Sequence, residues 1–218
     1  MGSETMDDPG ELAALVIGQM CHDLAGPVGA ILNGAEMLQD TRIDSGEIIG
    51  ILSRTAGTVG TILQFYRLAC GSATMQPGMQ EAETIEQLAT DFLSGRRIAF
   101  GMTLQPQRLP NDAVRLLLGT LYLASKALPR GGCISVNMGE LEDKPEKQAL
   151  ALDFMLEGER CGSVRALLAS LDTGSEAHDA ISRPDALGRL IQWQYQRLGT
   201  DIHEEWSEGK LHLGLRTL

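Results

Sequence analysis

The adjacent pair His22 and Asp23 is the part of the sequence best suited to chemistry. An imidazole keeps one unprotonated ring nitrogen at neutral pH, and that nitrogen can attack phosphorus. A carboxylate near the other nitrogen would hold the required tautomer and stabilise the imidazolium that forms on attack. We therefore predict that His22 accepts a phosphoryl group and that Asp23 orients it. A packed or solvent-facing histidine beside a simple surface acid is the alternative.

Small residues surround His22 on its side of a predicted helix. Side chains three or four positions apart share a helix face, and here they are Gly26, Gly29, Ala30 and Asn33. A large incoming protein could approach the helix backbone closely at these positions. Pro27 lacks an amide hydrogen, so the carbonyl of Asp23 loses its helical partner and the turn beside His22 should loosen. We predict that Pro27 and the four small residues form a docking surface.

Two stretches near the start of the chain have the apolar periodicity of packed helices. We expect the first from Pro9 to about Leu38 with Asp8 as N-cap, and the second from a cap at Asp44 to Cys70. The first apolar seam comprises Ile17, Cys21, Leu24, Val28, Ile31, Ala35 and Leu38. The second comprises Ile48, Leu52, Thr55, Val59, Ile62, Tyr66 and Ala69. A hairpin of two helices cannot cover both of its apolar sides, so we predict a homodimeric four-helix bundle.

The first helix carries residues that usually weaken helices. An interior proline costs about 3 kcal/mol and an interior glycine about 1 kcal/mol. The residues concerned are Gly18, Gly26, Pro27, Gly29 and Gly34. The glycines could serve close helix packing, the docking surface or both, and the sequence leaves these alternatives open.

The character of the sequence changes after Pro77-Gly78. We divide the chain into a polar tail (1–8), a helical hairpin (9–71), a linker (72–79) and a second domain (80–218). In the second domain we expect helices over 83–93, 111–128, 164–171 and 183–198, and strands over 97–104, 133–138, 149–156, 201–206 and 210–215. Helices mixed with mostly antiparallel strands indicate a two-layer α+β sandwich.

Composition narrows the classes of partner and compartment. The formal net charge of −11 argues against nucleic acid as the main partner, because phosphate neutralisation needs clustered Lys and Arg. No segment looks long and apolar enough to span a membrane, and no signal peptide is evident. The four cysteines are widely spaced and form no CxxC pair, so we expect reduced thiols in a cytoplasmic protein.

The segment from His22 to Pro27 (HDLAGP) resembles the H-box of bacterial sensor histidine kinases, which reads His, Glu or Asp, a hydrophobic residue, two variable polar residues and Pro. The second half resembles the kinase ATP-binding domain in the order of its elements. Within 115–134 the matching residues are Lys126, Pro129, Gly131 and Gly132. The resemblance implies a helical hairpin for dimerisation and phosphotransfer, followed by a kinase-like α/β sandwich.

The second half departs from the kinase pattern where nucleotide and metal contacts are expected. Leu123 replaces the metal-holding asparagine, and Gly119 replaces a polar residue one turn earlier. After the strand over 149–156, a Leu-Glu-Gly-Glu-Arg segment (156–160) stands where the kinases have a glycine-rich nucleotide motif. With these departures and the H-box, the chain resembles the histidine phosphotransferases of the ChpT type.

That resemblance implies a dimeric phosphorelay protein of bacterial two-component signalling with a degenerate kinase-like domain. It would take a phosphoryl group from the receiver domain of a hybrid kinase and pass it to response regulators through His22. It would need no cofactor or metal of its own, because the receiver supplies Mg²⁺. Two other functions stay open: a divergent ATP-dependent histidine kinase, and a non-catalytic dimeric adaptor that docks response regulators.

Overall fold

The structure is a computed structural model that describes residues 9–39, 45–71, 78–104, 107–139, 151–172 and 185–217. The chain divides into two compact units, Met1–Tyr66 and Arg67–Leu218. The predicted caps Asp8 and Asp44 and most of the predicted linker lie outside the described residues.

The first unit contains the helix α1 (Pro9–Met37) and most of the helix α2 (Ser45–Cys70). The last turn of α2, after Tyr66, belongs to the second unit. The predicted seam of α2 is its covered side, because Ile48, Tyr66 and Ala69 are buried and its other members are half-buried. The two helices pack tightly at Gly34, where a Cβ atom would come within 2.7 Å of the Leu52 side chain. The helical hairpin that the sequence predicts is therefore present.

The predicted seam of α1 lies about one residue away from the side that packs on α2. Val16, Met20, Asp23, Pro27 and Gly34 are buried or half-buried and recur at the spacing of one helix face. Most members of the predicted seam are exposed in the single chain, and Ile17 and Val28 retain 56% and 42% of their accessible surface. Four exposed seam residues and the exposed Leu32 form one side of the helix, which we call the apolar stripe of α1. It comprises Ile17, Cys21, Val28, Leu32 and Ala35.

Both helices are long and apolar enough to cross a membrane by length and composition. The expectation that no segment meets these two criteria is therefore wrong. Length and composition alone do not distinguish a membrane span from a helix of a soluble bundle, whose apolar faces are also extensive.

The second unit is a two-layer α+β sandwich, as predicted. Its five-stranded sheet has the order β2-β4-β5-β7-β6, with β2 and β4 parallel and the other neighbours antiparallel. The strands are β2 (Ile98–Leu104), β4 (Gly132–Gly139), β5 (Ala151–Glu157), β6 (Thr200–Ser207) and β7 (Lys210–Thr217). The helices are α3 (Ala82–Ser94), α4 (Asn111–Ala127), α5 (Val164–Asp172) and α6 (Ala186–Arg197).

A two-stranded antiparallel ribbon was not predicted. It pairs β1 (Met79–Glu81) with β3 (Arg108–Pro110). Each of these strands has only three residues, which is too short to show a period of two in the sequence.

The core of the second unit lies between the sheet and its helices. Alternate residues of β7 are buried, namely Leu211, Leu213 and Leu215, whereas the intervening side chains face the outer side of the sheet. Helix α4 is buried along most of its length and contacts α3, α5 and α6. That environment explains why its sequence is apolar on nearly every face.

Candidate functional site

His22 lies in the middle of α1 with its side chain open to solvent. Its side chain retains 69% of its accessible surface, and that of Asp23 retains 36%. The Nδ1 atom of His22 lies 3.5 Å from Oδ1 of Asp23. The structure therefore brings the two predicted residues together and directs the carboxylate at Nδ1, which leaves Nε2 facing away from it.

Asp23 has a second partner that was not predicted. The hydroxyl of Tyr66, on α2, donates a 2.7 Å hydrogen bond to Oδ2 of Asp23. In the sequence, Tyr66 is predicted only as a seam residue. A buried tyrosine hydroxyl normally has a polar partner, so a tyrosine among mostly aliphatic seam positions indicates that such a partner exists, although it does not identify Asp23.

The predicted docking positions beside His22 are open. Gly26, Ala30 and Asn33 are exposed, and Gly29 is half-buried. A Cβ atom added at Gly26 or Gly29 would meet no atom within 4 Å. Of the alternatives left open for the glycines of α1, packing between the helices therefore explains Gly34, whereas it does not explain Gly26 or Gly29.

Pro27 lies on a different side of α1 from those residues. It is half-buried and shares the helix face of Asp23 and Gly34, both of which contact α2. Helix α1 continues through Pro27 without interruption. Its ring therefore does not contribute to the exposed face, although the missing amide hydrogen still leaves the carbonyl of Asp23 without a helical donor.

Three faces of α1 can be separated by direction, because successive residues project about 100° apart. One face packs on α2, and the apolar stripe is about 100° around the helix from it. His22, Gly26, Gly29 and Asn33 lie a further roughly 130° around the helix. The face of His22 is thus distinct from the apolar stripe.

In the second unit, the two positions that depart from the kinase pattern are packed into the core. Leu123 is 1% exposed. A Cβ atom at Gly119 would approach the side chain of Ile191, on α6, to 3.1 Å. A polar side chain reaching for a ligand therefore has no room at position 119, and position 123 supplies an apolar core contact.

A cluster of polar residues joins α4 to the start of α6. The carboxylate of Asp185 accepts hydrogen bonds from the Tyr122 hydroxyl at 2.6 Å and from the Gly188 backbone at 3.1 Å. Lys126 forms an ion pair with the same carboxylate at 2.9 Å. Lys126, which matches the kinase pattern in the sequence, is thus engaged with the chain itself.

The turn at Gly131 and Gly132 contacts the Leu-Glu-Gly-Glu-Arg segment (156–160) in the structure. Gly158, in the Leu-Glu-Gly-Glu-Arg segment, packs against the turn at Gly131, since a Cβ atom at position 158 would lie 2.8 Å from the Gly131 carbonyl oxygen. Gly131 itself has a φ of +84°, a conformation that favours glycine. Arg130 and Glu159 add an exposed ion pair at 2.8 Å between the same two segments.

Glu204 has a structural role that was not predicted. Its carboxylate accepts hydrogen bonds from Ser163 Oγ at 2.6 Å and from the Arg165 backbone at 2.8 Å. These donors lie at the start of α5, so Glu204 caps that helix from β6.

Two of the other histidines, His203 and His212, line a shallow polar cavity on the outer face of the sheet. Its volume is about 310 Å³, and its other lining residues are Asp153, Asp201, Glu205, Gly214 and Arg216. Within the ranges that the structure describes, no group of three or more His, Cys, Asp or Glu side chains could hold a metal ion.

Comparison with known proteins identifies a family and several proteins to which this chain is similar. Residues 82–184 match the family described as "Histidine phosphotransferase C-terminal domain". The protein phosphotransferase ChpT of Brucella abortus (strain 2308) is 30% identical over 135 residues, which are 62% of this chain and 64% of the relative. The chain therefore spans somewhat less than two thirds of that curated relative's length in the match.

A solved structure described as that of a bacterial phosphotransferase matches 97% of this chain and 98% of its own, with a TM-score of 0.74 and 22% identity. The mycobacterial sensor histidine kinase MprB matches 65% of this chain with a TM-score of 0.44 and 13% identity. The first of these matches extends over both units and confirms the predicted fold class. The matches in sequence confirm the predicted resemblance to the histidine phosphotransferases of the ChpT type.

Proposed function

We propose that this chain is a histidine phosphotransferase of a two-component phosphorelay. His22 takes a phosphoryl group from a receiver-domain aspartate and gives it to the aspartate of another receiver. The observation that carries this proposal is the exposed imidazole of His22 with the Asp23 carboxylate at Nδ1. The relatives named phosphotransferases support the same class of reaction.

The geometry suits Nε2 as the attacking atom. With its proton on Nδ1 beside Asp23, the neutral imidazole keeps a lone pair on Nε2. That lone pair forms the new P–N bond while the P–O bond of the aspartyl phosphate breaks, and the electron pair leaves with the aspartate carboxylate. The imidazolium that results is stabilised by the negative charge of Asp23. Transfer to an acceptor receiver reverses these steps.

The phosphoryl group arrives from another protein in this proposal, because the second unit is poorly suited to feeding His22 from ATP. Leu123 and Gly119 are committed to core packing, and Lys126 is paired with Asp185. We propose that the chain has no ATP-dependent kinase activity and no cofactor of its own. Mg²⁺ is then supplied by the receiver, whose phosphoryl oxygens it neutralises.

We propose that the receivers dock on the face of His22. This side of α1 carries only small or short side chains, at Gly26, Gly29, Ala30 and Asn33. A receiver's phosphoaspartate can therefore reach Nε2 of His22 without meeting a bulky side chain. The donor is the receiver of a hybrid histidine kinase, and the acceptors are response regulators. Pro27 contributes through the backbone of the turn rather than through its ring.

We further propose that the chain acts as a cytoplasmic homodimer. The apolar stripe of α1 and exposed residues of α2 such as Ile49 and Leu63 would cover one another in a four-helix bundle. The face of His22 is about 130° away from the stripe on α1, so dimerisation would leave it free for receivers.

Phosphoryl transfer from a purified phosphorylated receiver tests the proposal. The wild-type chain should remove the phosphoryl group from the donor receiver and pass it to a second receiver, whereas His22→Ala should do neither. Transfer through His22→Ala would refute the proposal. Receiver binding without any labelling of His22 would instead favour the adaptor, and clear calorimetric binding of Mg²⁺–ATP would favour the divergent kinase.

A further inference from the structure

We propose that Tyr66 is a positioning residue for the phosphoryl transfer at His22, an inference that depends on the proposed function. The Tyr66 hydroxyl fixes the Asp23 carboxylate, and Asp23 in turn fixes the proton of His22 on Nδ1. The three side chains form a chain of contacts in the structure. Oδ2 of Asp23 accepts from Tyr66 at 2.7 Å, and Oδ1 lies 3.5 Å from Nδ1 of His22.

The helix alone does not hold Asp23 against His22. Adjacent residues of an α-helix project about 100° apart and do not face each other. A contact from outside α1 can therefore fix the Asp23 carboxylate in the orientation that faces Nδ1. Tyr66 supplies such a contact from the facing helix, 43 positions later in the sequence.

The surroundings of the two residues fit this division of roles. Tyr66 is 3% exposed, so its ring is held by packing and its hydroxyl has a defined position. Asp23 is more than a third exposed, and without a fixed partner its carboxylate would be free to turn into water. A hydroxyl that donates to an ionised carboxylate makes one of the stronger hydrogen bonds found in proteins.

The chemical consequence concerns the tautomer of His22. A fixed carboxylate at Nδ1 favours the neutral form whose proton is on Nδ1, and this form has its lone pair on Nε2. If Asp23 is free to rotate, a larger share of His22 carries its proton on Nε2, where it blocks attack on phosphorus. Loss of the Tyr66 hydroxyl should therefore reduce the reactive fraction without removing the nucleophile.

Tyr66→Phe tests this role because it keeps the ring and removes only the hydroxyl. The rate of phosphoryl transfer from a phosphorylated receiver should fall about tenfold, the effect of losing one hydrogen bond to a charged group. The ¹⁵N chemical shifts of His22 should move toward the tautomer protonated on Nε2. The matched control is Tyr195→Phe, which removes a buried hydroxyl that is 2.6 Å from Thr120 in the second unit and should change neither measurement.

Asp23→Asn supplies a second test that does not need Tyr66→Phe to fold, and a double-mutant cycle combines the two substitutions where both variants fold. The amide in Asp23→Asn can accept from Tyr66 with its oxygen and then presents its NH₂ group to Nδ1. It should therefore drive His22 toward the tautomer protonated on Nε2 in the otherwise native chain. In that background, Tyr66→Phe should no longer produce a tenfold loss of rate, because the two residues act through one chain of contacts.

The outcomes separate this inference from the proposed function. A tenfold loss accompanied by the tautomer shift supports the role of Tyr66. An unchanged rate, or a loss of rate without a change of tautomer, overturns it while leaving the phosphotransfer proposal intact, provided that His22→Ala is inactive. Full transfer by His22→Ala would instead overturn the proposed function itself.

Discussion

At the scale of single residues, the site consists of side chains with separate tasks. His22 is exposed and available to a partner, whereas Asp23 lies between it and the buried Tyr66. The adjacency of His22 and Asp23 could be predicted from the sequence. The contact with Tyr66 could not be predicted from spacing, because it depends on the register between two helices that are joined by a loop.

A pH-dependent stability is expected from Cys70, in the last turn of α2. Burial raises the pKa of its thiol from 9.0 to about 11, and the nearby Arg115 opposes part of that rise. A group whose pKa is raised by folding stabilises the native state fully below its unfolded pKa. This contribution is therefore present below pH 9 and is lost as the pH rises toward 11.

Cys70→Ala should remove this dependence. A shift of this size corresponds to roughly 2 kcal/mol of unfolding free energy between neutral pH and pH 11. Urea denaturation at pH 8 and pH 10.5 should show a smaller loss of stability in Cys70→Ala than in the wild-type chain. The exposed Cys133 supplies the control, since Cys133→Ala should keep the wild-type dependence. Equal losses in Cys70→Ala and wild type would contradict this assignment.

At the scale of elements, α1 presents three faces, and periodicity identified one apolar seam, most of which is exposed in the single chain. The four-three spacing predicted the helical hairpin, and the structure has both helices within a residue or so of the expected bounds. Periodicity could not decide which apolar residues of α1 pack on α2 and which stay exposed, since both sets repeat with the same period. Gly34 and Gly29 illustrate the point, because only their surroundings show that one is packed and the other open.

Gly29→Trp should block docking of receivers without disturbing the hairpin. Position 29 has open space around a Cβ atom, so an indole there would project from the low surface beside His22. The KM for a phosphorylated receiver should rise by at least about tenfold if the ring displaces even a few good contacts. Circular dichroism should show an unchanged helix content.

Gly50→Trp is the matched control for this change. It places the same ring near the start of α2, where a Cβ atom would contact only the mobile end of the Arg54 side chain at 3.5 Å. Its KM should remain close to that of the wild type. Equal effects of the two variants would show that the face of His22 has no special part in docking.

At the scale of the whole molecule, two units of different character are joined in one chain. The second unit has a buried core between its helices and a five-stranded sheet, whereas the helices of the first unit leave large apolar residues exposed. The sandwich of the second unit could be predicted from its mixture of strands and helices. The strands β1 and β3 of the small ribbon were too short to be recognised in the sequence. The capping of α5 by Glu204 could not be predicted from the sequence either, because Glu204 is 39 to 41 positions away from the residues that it caps.

The exposed apolar stripe predicts the mass of the molecule in solution. Light scattering should give two chains of 23.5 kDa for the wild type, without detergent. Leu32→Glu should give one chain, because Leu32 is 61% exposed and a carboxylate buried there would remain unpaired. Asn33→Glu, on the face of His22, should remain a dimer. A monomeric wild type, or a protein that needs detergent to stay in solution, would contradict the four-helix bundle.

The most direct test of the central claim is the chemical identity of the phosphorylated residue. After incubation with a phosphorylated receiver, the chain should carry a phosphate that is labile in acid and stable in base, and tandem mass spectrometry should locate it on His22. An acid-stable phosphate, or a phosphate on another residue, would contradict the account. So would an unmodified chain, provided that the receiver is still phosphorylated at the end of the incubation.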